Sequence, residues 1–258
     1  MADKLRVGII GATGHGDYGH GVDTVWAEID RAQVVALADA DDTGRAKAVE
    51  RTKAPVSYAD YREMLAACGD ELDIVYVSTP HAFHAEQAIA VAERGIDMFL
   101  EKPMVTTVPE AEALIAAQKR GKGTIVTAFQ GGLSPLVLDT RRRSLAGEFG
   151  ELIAISGMIW ESWASNYAGH WKQTPEISGG GFMFDTGAHL MNTVCLLANS
   201  DFASVGAYMD NRGAPVDIVT AVSARLANGA LATLTAAGEG PKGCASFISL
   251  LFTKAIVR

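Results

Sequence analysis

The chain has 258 residues, of which 48% are hydrophobic and 20% are charged, so the composition predicts a packed core in one large or two modest domains and excludes disorder. The formal net charge of −8 argues against nucleic acid or an anionic membrane as the main partner, because both require a cationic surface. Three distant cysteines, no signal-peptide pattern and no apolar run near the ~20 residues of a membrane span predict a cytoplasmic protein with reduced thiols.

From residue 5 to about 128, apolar runs alternate with helix-like segments. The runs are apolar on consecutive positions, which is typical of strands that are covered on both faces. Their alternation with helices predicts a parallel sheet with right-handed crossovers in an α/β domain over residues 1–130. The predicted strands are 5–10, 33–39, 72–79, 95–101 and 123–129, and the predicted helices are VDTVWAEIDR, TGRAKAVERT, YADYREMLAAC, AFHAEQAIAVAERG and VPEAEALIAAQKRG.

After about residue 130 the pattern changes. A helix that ends near Gly147 precedes the strand ELIAISGMIW, a loop rich in Trp, Tyr and Gly, and a helix in GGGFMFDTGAHLMNTVCLLAN. Some of the last segments (SVGAYMD, DIVTAVSARLA, GALATLTAA and SFISLLF) alternate in the manner of an antiparallel sheet with one exposed face. Residues 131–258 are therefore predicted to form an α+β domain with an open, mainly antiparallel sheet.

The first strand runs into the glycine-rich stretch GATGHGDYGHG. Gly11 and Gly16 match the first and third glycines of a dinucleotide-binding fingerprint, whereas Thr13 stands at the middle position. The predicted helix VDTVWAEI would offer its N-terminal N–H groups to a pyrophosphate. Asp39 follows the second strand, where an acid binds the adenosine ribose, and a carboxylate there favours NAD over NADP. A flexible turn that binds nothing is the alternative.

Two strands of the first domain end in polar residues and proline. One ends in Thr79-Pro80, and the next ends in Glu101-Lys102-Pro103. Ligands of open parallel sheets lie over the carboxyl ends of the strands, so Lys102 is expected to point into the cofactor crevice. An ordinary surface turn is the alternative.

The stretch GGGFMFDTGAHLMN carries a second candidate cluster. Asp185 and His189 are four residues apart and are expected to lie on one face of a helix start. A histidine can take a hydroxyl proton near neutral pH, and a carboxylate can orient the substrate. The alternative is a helix-capping aspartate beside a buried, hydrogen-bonded histidine.

Taken together, VGIIGATGHG, VVALADAD, VSTPHAFHAEQAI, FLEKPMVTT and SGGGFMFDTGAHLMN resemble the Gfo/Idh/MocA family over essentially the whole chain. The resemblance implies a Rossmann domain that binds NAD or NADP and a second domain built on an open sheet. It also implies that a secondary alcohol of a sugar, cyclitol or related polyol is oxidised, or that the reverse reduction occurs. In that reaction His189 would accept the hydroxyl proton, Lys102 would hydrogen-bond the same oxygen, and Asp185 would position the hydroxyls.

The cofactor contacts predicted from the fingerprint and the resemblance involve the glycine loop and the ends of three strands. They are Gly11, Thr13, Gly14, His15, Gly16, Asp39, Thr79, Pro80, His84, Glu101 and Lys102. Three features depart from the family: Thr13 replaces the middle fingerprint glycine, Asn192 replaces a second acid, and the chain stops at Arg258 where relatives continue. Either this is a short variant, or part of the second domain is absent, which would leave an exposed sheet edge.

The segment IWESWASNYAGHWK, just before the three glycines, is predicted to bind the sugar. Its candidates Trp163, Tyr167, His170 and Trp171 combine stacking faces with polar groups. Packing of a long loop or a subunit contact is the alternative.

No metal site is predicted, because His81 and His84 have no third or fourth ligand at metal spacing. Two other functions are compatible with the family: an NAD-dependent glycoside hydrolase, and a non-catalytic sensor that binds a dinucleotide. The expected partners are a small sugar or polyol and a second copy of the chain, which would associate through the C-terminal sheet as the resemblance implies.

Overall fold

The computed structural model describes residues 4–258 and divides into two units, with the division between Ala128 and Phe129. The N-terminal unit contains six strands, β1 (Leu5–Gly11), β2 (Ala32–Ala38), β3 (Val56–Tyr58), β4 (Ile74–Ser78), β5 (Asp97–Leu100) and β6 (Ile125–Thr127). They form one sheet in the order β3-β2-β1-β4-β5-β6, and every neighbouring pair is parallel. This order is that of a Rossmann fold, and the prediction of a parallel α/β domain is confirmed.

The crossovers of this unit contain α1 (Asp17–Gly21), a 3-10 helix (Val22–Glu28), α2 (Asp42–Thr52), α3 (Tyr61–Cys68), α4 (His81–Ala92) and α5 (Val108–Gly121). The α-helix predicted over VDTVWAEIDR is therefore wrong. Gly21, directly before this segment, is left-handed with a φ of 83°, and Val22–Glu28 forms a 3-10 helix instead. Within residues 4–258, no helix has the length and apolarity that a bilayer crossing requires.

The C-terminal unit contains six further strands, β7 (Leu152–Glu161), β8 (Phe202–Asp210), β9 (Val219–Leu226), β10 (Leu231–Ala237), β11 (Cys244–Phe252) and β12 (Ile256–Val257). Their order is β12-β11-β7-β10-β9-β8, and only β7 and β10 run parallel. The prediction of an open, mainly antiparallel sheet is confirmed. Along β9 and β10 buried residues alternate with more exposed ones, so one face carries the core and the other is open.

The helices of this unit are α6 (Pro135–Leu145), α7 (Trp163–Asn166), α8 (Pro175–Ser178), α9 (Phe182–Asp185) and α10 (Gly187–Ala198). The single helix predicted after the three glycines is split at Thr186. The N–H of His189 donates to the carbonyl of Thr186, three residues back, so α10 begins with a tight turn. Asp185 ends one helix and His189 lies in the first turn of the next, which differs from the expected placement on one continuous helix.

Candidate active site

The glycine loop follows β1 and is shaped by left-handed residues. Gly14 and Gly16 have φ values of 75° and 118°, and a methyl group on Gly14 would meet no atom within 4 Å. His15 is exposed, and its N–H donates to the carbonyl of Ala12 at 3.2 Å. The loop therefore presents backbone with open space beside it.

Asp39 lies directly after β2 and is only 3% exposed. Its Oδ2 accepts hydrogen bonds from the Thr13 N–H at 3.0 Å and the Thr13 hydroxyl at 2.6 Å. Its Oδ1 accepts from the N–H of Asp41 at 3.0 Å. Thr13, which breaks the glycine fingerprint, thus joins the loop to the acid at the end of the next strand.

Tyr18 was not identified from the sequence, although it completes this arrangement. Its hydroxyl donates to Asp39 Oδ2 at 2.6 Å, and its ring is buried in the core among residues of β1, β2 and β4. A methyl group on Gly11 would lie 2.1 Å from Tyr18 Cε1, so the glycine is required for the ring to pack. Burial and the neighbouring carboxylate raise the pKa of Tyr18 above its ordinary value. The phenol therefore remains a hydrogen-bond donor to Asp39.

The carboxyl end of β4 leads through Thr79 and Pro80 into α4. Both residues are buried, and the Thr79 hydroxyl donates to Gln87 at 2.6 Å. His84 is 0% exposed, with Nε2 2.7 Å from the Thr79 carbonyl and Nδ1 2.8 Å from the Pro103 carbonyl. Burial lowers the pKa of His84, and the two carbonyls partly offset that effect. The imidazole thus connects the end of β4 to the turn after β5.

Glu101 and Lys102 follow β5, and the Lys102–Pro103 peptide bond is cis. Glu101 Oε1 accepts from the Tyr76 hydroxyl at 3.0 Å, and Oε2 accepts from the Lys102 N–H at 3.3 Å. A methyl group on Gly19 would lie 2.1 Å from the Tyr76 hydroxyl oxygen and 2.7 Å from Glu101. Glu101 therefore packs against the glycine-rich segment, and its carboxylate also binds the backbone N–H of Lys102.

In the C-terminal unit, Asp185 is 1% exposed and has charged and aromatic neighbours. Its Oδ2 lies 2.9 Å from Lys172 Nζ and accepts a hydrogen bond from Trp163 Nε1, also at 2.9 Å. A buried carboxylate needs such compensation to stay charged. Lys172 was not among the predicted site residues, because a lysine 13 residues away gives no local signal of pairing.

His189 is half-buried in the first turn of α10, and its ring meets the Phe129 ring edge-on at 5.5 Å. It also lines a cavity of about 660 Å³ between α6, α10 and β11, together with Thr193, Ser246 and mainly apolar side chains. The predicted substrate residues of the aromatic segment do not line this cavity.

The aromatic segment packs around Trp163, which is fully buried. The Tyr167 ring lies 5.6 Å from the Trp163 ring and 5.4 Å from that of His170, and the His170 and Trp171 rings are 5.5 Å apart. Tyr167 and His170 are half-buried, whereas Trp171 is 8% exposed. The four predicted substrate residues thus form one continuous cluster next to Asp185.

The start of α9 is held by Asp217, another residue that the sequence did not reveal. The side chain is 8% exposed and accepts from the Gly181 N–H at 2.8 Å and the Met183 N–H at 2.9 Å. The intervening N–H of Phe182 donates to the Asp217 carbonyl at 2.8 Å. Three consecutive N–H groups therefore bind one aspartate, and this fixes the turn that leads to Asp185.

The structure places Lys102 in the N-terminal unit, and Asp185 and His189 in the C-terminal unit. Among residues 4–258, no three His, Cys, Asp or Glu side chains gather into a cluster that could hold a metal ion. The rings of His81 and His84 lie 5.9 Å apart.

Comparison with family models identifies both halves of the chain. Residues 5–129 match the oxidoreductase family with an NAD-binding Rossmann fold, and residues 137–258 match the GFO/IDH/MocA C-terminal domain. The chain belongs to the Gfo/Idh/MocA family. Its relatives include both dehydrogenases and a glycosidase.

Levoglucosan dehydrogenase from Pseudarthrobacter phenanthrenivorans is 28% identical over 80% of this chain and 51% of the relative. An alpha-N-acetylgalactosaminidase from Shewanella oneidensis is 27% identical over 86% of this chain and 49% of the relative. A structure of levoglucosan dehydrogenase with NADH and levoglucosan has a TM-score of 0.87 at 24% identity, over 97% of this chain and 72% of that one, which shows a shared fold. The chain spans about half the length of the curated relatives it matches.

The residues of the N-terminal unit fit the dinucleotide of this Gfo/Idh/MocA fold. Open space beside Gly14 allows a phosphate to approach the backbone. Asp39 is held in place by Thr13 and Tyr18, and Oδ1 retains acceptor capacity beyond the Asp41 N–H. The 3-10 helix after the loop supplies no long helix dipole, so a dinucleotide bound here would depend on the loop and on Asp39.

Proposed function

We propose that this protein is an NAD-dependent oxidoreductase that transfers hydride between a secondary alcohol of a sugar, cyclitol or related polyol and nicotinamide. The observation that carries the proposal is the buried, ion-paired carboxylate of Asp185 four residues before His189. The match of both halves of the chain to the domains of one oxidoreductase family supports it further.

In this proposal Gly14, Gly16 and Asp39 hold NAD, with Thr79, Pro80 and Glu101 at the carboxyl ends of the neighbouring strands. The bound cofactor supplies the hydride acceptor. The carboxylate of Asp39 disfavours the additional phosphate of NADP by charge repulsion, which supports NAD as the cofactor.

The protein's own groups handle the proton and the substrate oxygen. His189 accepts the proton of the substrate hydroxyl, because an imidazole titrates near neutral pH. Lys102 donates a hydrogen bond to the same oxygen and stabilises the negative charge that develops there. Asp185 accepts hydrogen bonds from neighbouring hydroxyls and so orients the ring of the substrate.

A sugar or polyol substrate is supported by the aromatic segment beside Asp185. Tyr167, His170 and Trp171 offer ring faces and polar groups in one cluster, which is the combination that carbohydrate binding uses. Trp163 contributes through its hydrogen bond to Asp185 rather than by an exposed face, because it is fully buried.

The test is a spectrophotometric assay with NAD and levoglucosan, D-xylose or myo-inositol, which follows the absorbance of the reduced nicotinamide. We expect His189→Ala and Lys102→Ala each to lower kcat by about 10²–10⁴-fold, the usual contribution of a general base or a charge-stabilising group. Lys119→Ala, which changes an exposed lysine of α5, is the matched control. Full turnover by either site variant would contradict the mechanism.

A glycoside hydrolase that uses NAD is the second candidate, and the likeness to alpha-N-acetylgalactosaminidase over 86% of this chain favours it. Release of free sugar from a p-nitrophenyl glycoside without net NADH formation would establish this alternative. Calorimetric binding of NAD with neither dehydrogenation nor hydrolysis would instead indicate the sensor.

We also propose that the open face of the C-terminal sheet binds a second copy of the chain. The strand register aligns Tyr208, Ala221, Thr235, Met158 and Phe247 in one row across five strands. Tyr208 and Phe247, at the two ends of this row, are 89% and 57% exposed. A row of this kind on a wide sheet is typical of a subunit contact.

Light scattering after size exclusion tests this contact. Tyr208→Asp and Phe247→Asp are expected to convert an oligomer into a monomer, because each places a charge in a desolvated contact. Ile115→Asp, at an exposed apolar site of α5, is the control. A monomeric wild-type protein would overturn the proposal.

A further inference from the structure

The side chain of Lys172 is buried beside Asp185, although lysine is among the residues least often buried. It lies in the 3-10 helix Trp171–Gln173 and is 9% exposed. Its Nζ lies 2.9 Å from Asp185 Oδ2, the same oxygen that accepts the Trp163 indole N–H. Two donors from different elements thus converge on one carboxylate oxygen.

Aromatic side chains enclose the ammonium group. Lys172 Nζ lies 4.5 Å from the centre of the Tyr167 ring and 6.0 Å from that of Trp171. The N–H of Lys172 also meets His170 Nδ1 at 3.4 Å, which caps the 3-10 helix. A desolvated cation over an aromatic face is attracted by the ring, so these contacts fix the position of the ammonium.

A buried ion pair is not needed to fill space. Both ions lose hydration, and apolar residues of similar volume often give equal or greater stability. The pair is therefore better explained by what the charges do at this position. Lys172 and Trp163 together fix the direction of the Asp185 carboxylate.

We propose that Lys172 is a positioning residue that acts on the substrate through Asp185. The inference rests on the proposed function, in which Asp185 accepts hydrogen bonds from substrate hydroxyls. With Lys172 in place, the substrate meets a charged acceptor whose orientation is fixed before binding. Without it, the carboxylate loses the cation that compensates its burial.

The first experiment does not depend on turnover. The four tryptophans give four indole N–H signals in a ¹⁵N-labelled sample, and Trp163→Phe assigns the signal of Trp163. We expect Lys172→Met and Asp185→Asn to shift this signal, and Lys172→Arg to restore it. Lys254→Met, at an exposed lysine of the same unit, is the control and should leave it unchanged.

An unchanged Trp163 signal in Lys172→Met would overturn the proposal whatever the enzyme does. If that variant fails to fold, Lys172→Gln, which keeps a donor but removes the charge, replaces it. A shifted signal in a protein that reduces NAD with none of the sugars, cyclitols or polyols tested would instead count against the proposed function and leave the contact between Lys172 and Asp185 established.

The second experiment is a double-mutant cycle with whichever of levoglucosan, D-xylose or myo-inositol the wild-type protein oxidises. Lys172→Met is expected to lower kcat/KM about 100-fold, and Lys172→Arg to stay within about tenfold of wild type. In an Asp185→Asn background, Lys172→Met should have no further effect, because its action passes through the carboxylate. Losses that multiply in the double variant would show that Lys172 acts separately from Asp185 and would overturn the proposal.

Discussion

Asp217→Asn is expected to loosen the turn that leads to Asp185. The Asp217 carboxylate accepts from two backbone N–H groups, at 2.8 Å and 2.9 Å, and the site is largely buried. An amide keeps one acceptor oxygen and turns its NH₂ toward the other N–H, so one charge-assisted bond is replaced by a contact between two donors. Because a hydrogen bond to a charged group is worth about 1.5–3 kcal/mol, we expect a local loss of about 2–3 kcal/mol.

Hydrogen exchange measured by mass spectrometry on peptides that cover residues 179–187 checks this value. A loss of 2–3 kcal/mol corresponds to roughly 30- to 150-fold faster exchange of the N–H groups of Gly181 and Met183. Asp139→Asn changes an exposed ion pair on α6 and should leave exchange in these peptides unchanged. Exchange in Asp217→Asn within threefold of wild type would refute the role of Asp217 in holding this turn.

Three further outcomes are expected. Burial and the neighbouring Asp39 carboxylate raise the pKa of Tyr18, so stability is lost above about pH 10 by up to ~1.4 kcal/mol per pH unit. In urea titrations Tyr18→Phe should reduce this slope, and an unchanged slope would contradict the reasoning. Burial lowers the pKa of His84, so the stability that this residue contributes is present above about pH 6.5 and is lost at lower pH, by up to ~1.4 kcal/mol per pH unit. Equal slopes of unfolding free energy against pH in wild type and His84→Ala would contradict this. In Gly44→Ala the new methyl would lie 1.9 Å from Thr13 Oγ1 and would move that hydroxyl away from the Asp39 carboxylate. Calorimetry should therefore show NAD binding about tenfold weaker, which corresponds to the loss of one hydrogen bond. An unchanged affinity would count against the role of Thr13.

The central strands were predictable because their burial leaves a strong pattern in the sequence. β1, β2 and β4 are apolar on consecutive positions, and both faces of the sheet are covered. β3 was missed because this three-residue edge strand lacks such a run, and Val56 is 44% exposed. β12 was missed for the same reason, since it has only two residues.

The site could be predicted only in part. The position of Asp39 at the end of β2 was predictable, because the end of a strand is visible in the sequence. Lys172 and Asp217 were missed, since their partners lie 13 and 34 or 36 residues away and no spacing rule connects them. The α-helix predicted for the first crossover is wrong because VDTVWAEI has apolar residues at helical spacing, yet it follows the left-handed Gly21 and forms a 3-10 helix.

The contacts of Asp39 have a consequence for changing the coenzyme preference. In the proposed NAD site, admitting a 2′-phosphate would require the Asp39 carboxylate to be neutralised, and this carboxylate also anchors Thr13 and Tyr18. A single replacement at this position would therefore dismantle the loop that it was meant to adapt. A variant selective for the phosphorylated dinucleotide needs new partners for the threonine and tyrosine hydroxyls at the same time, so the switch lies several coordinated substitutions away.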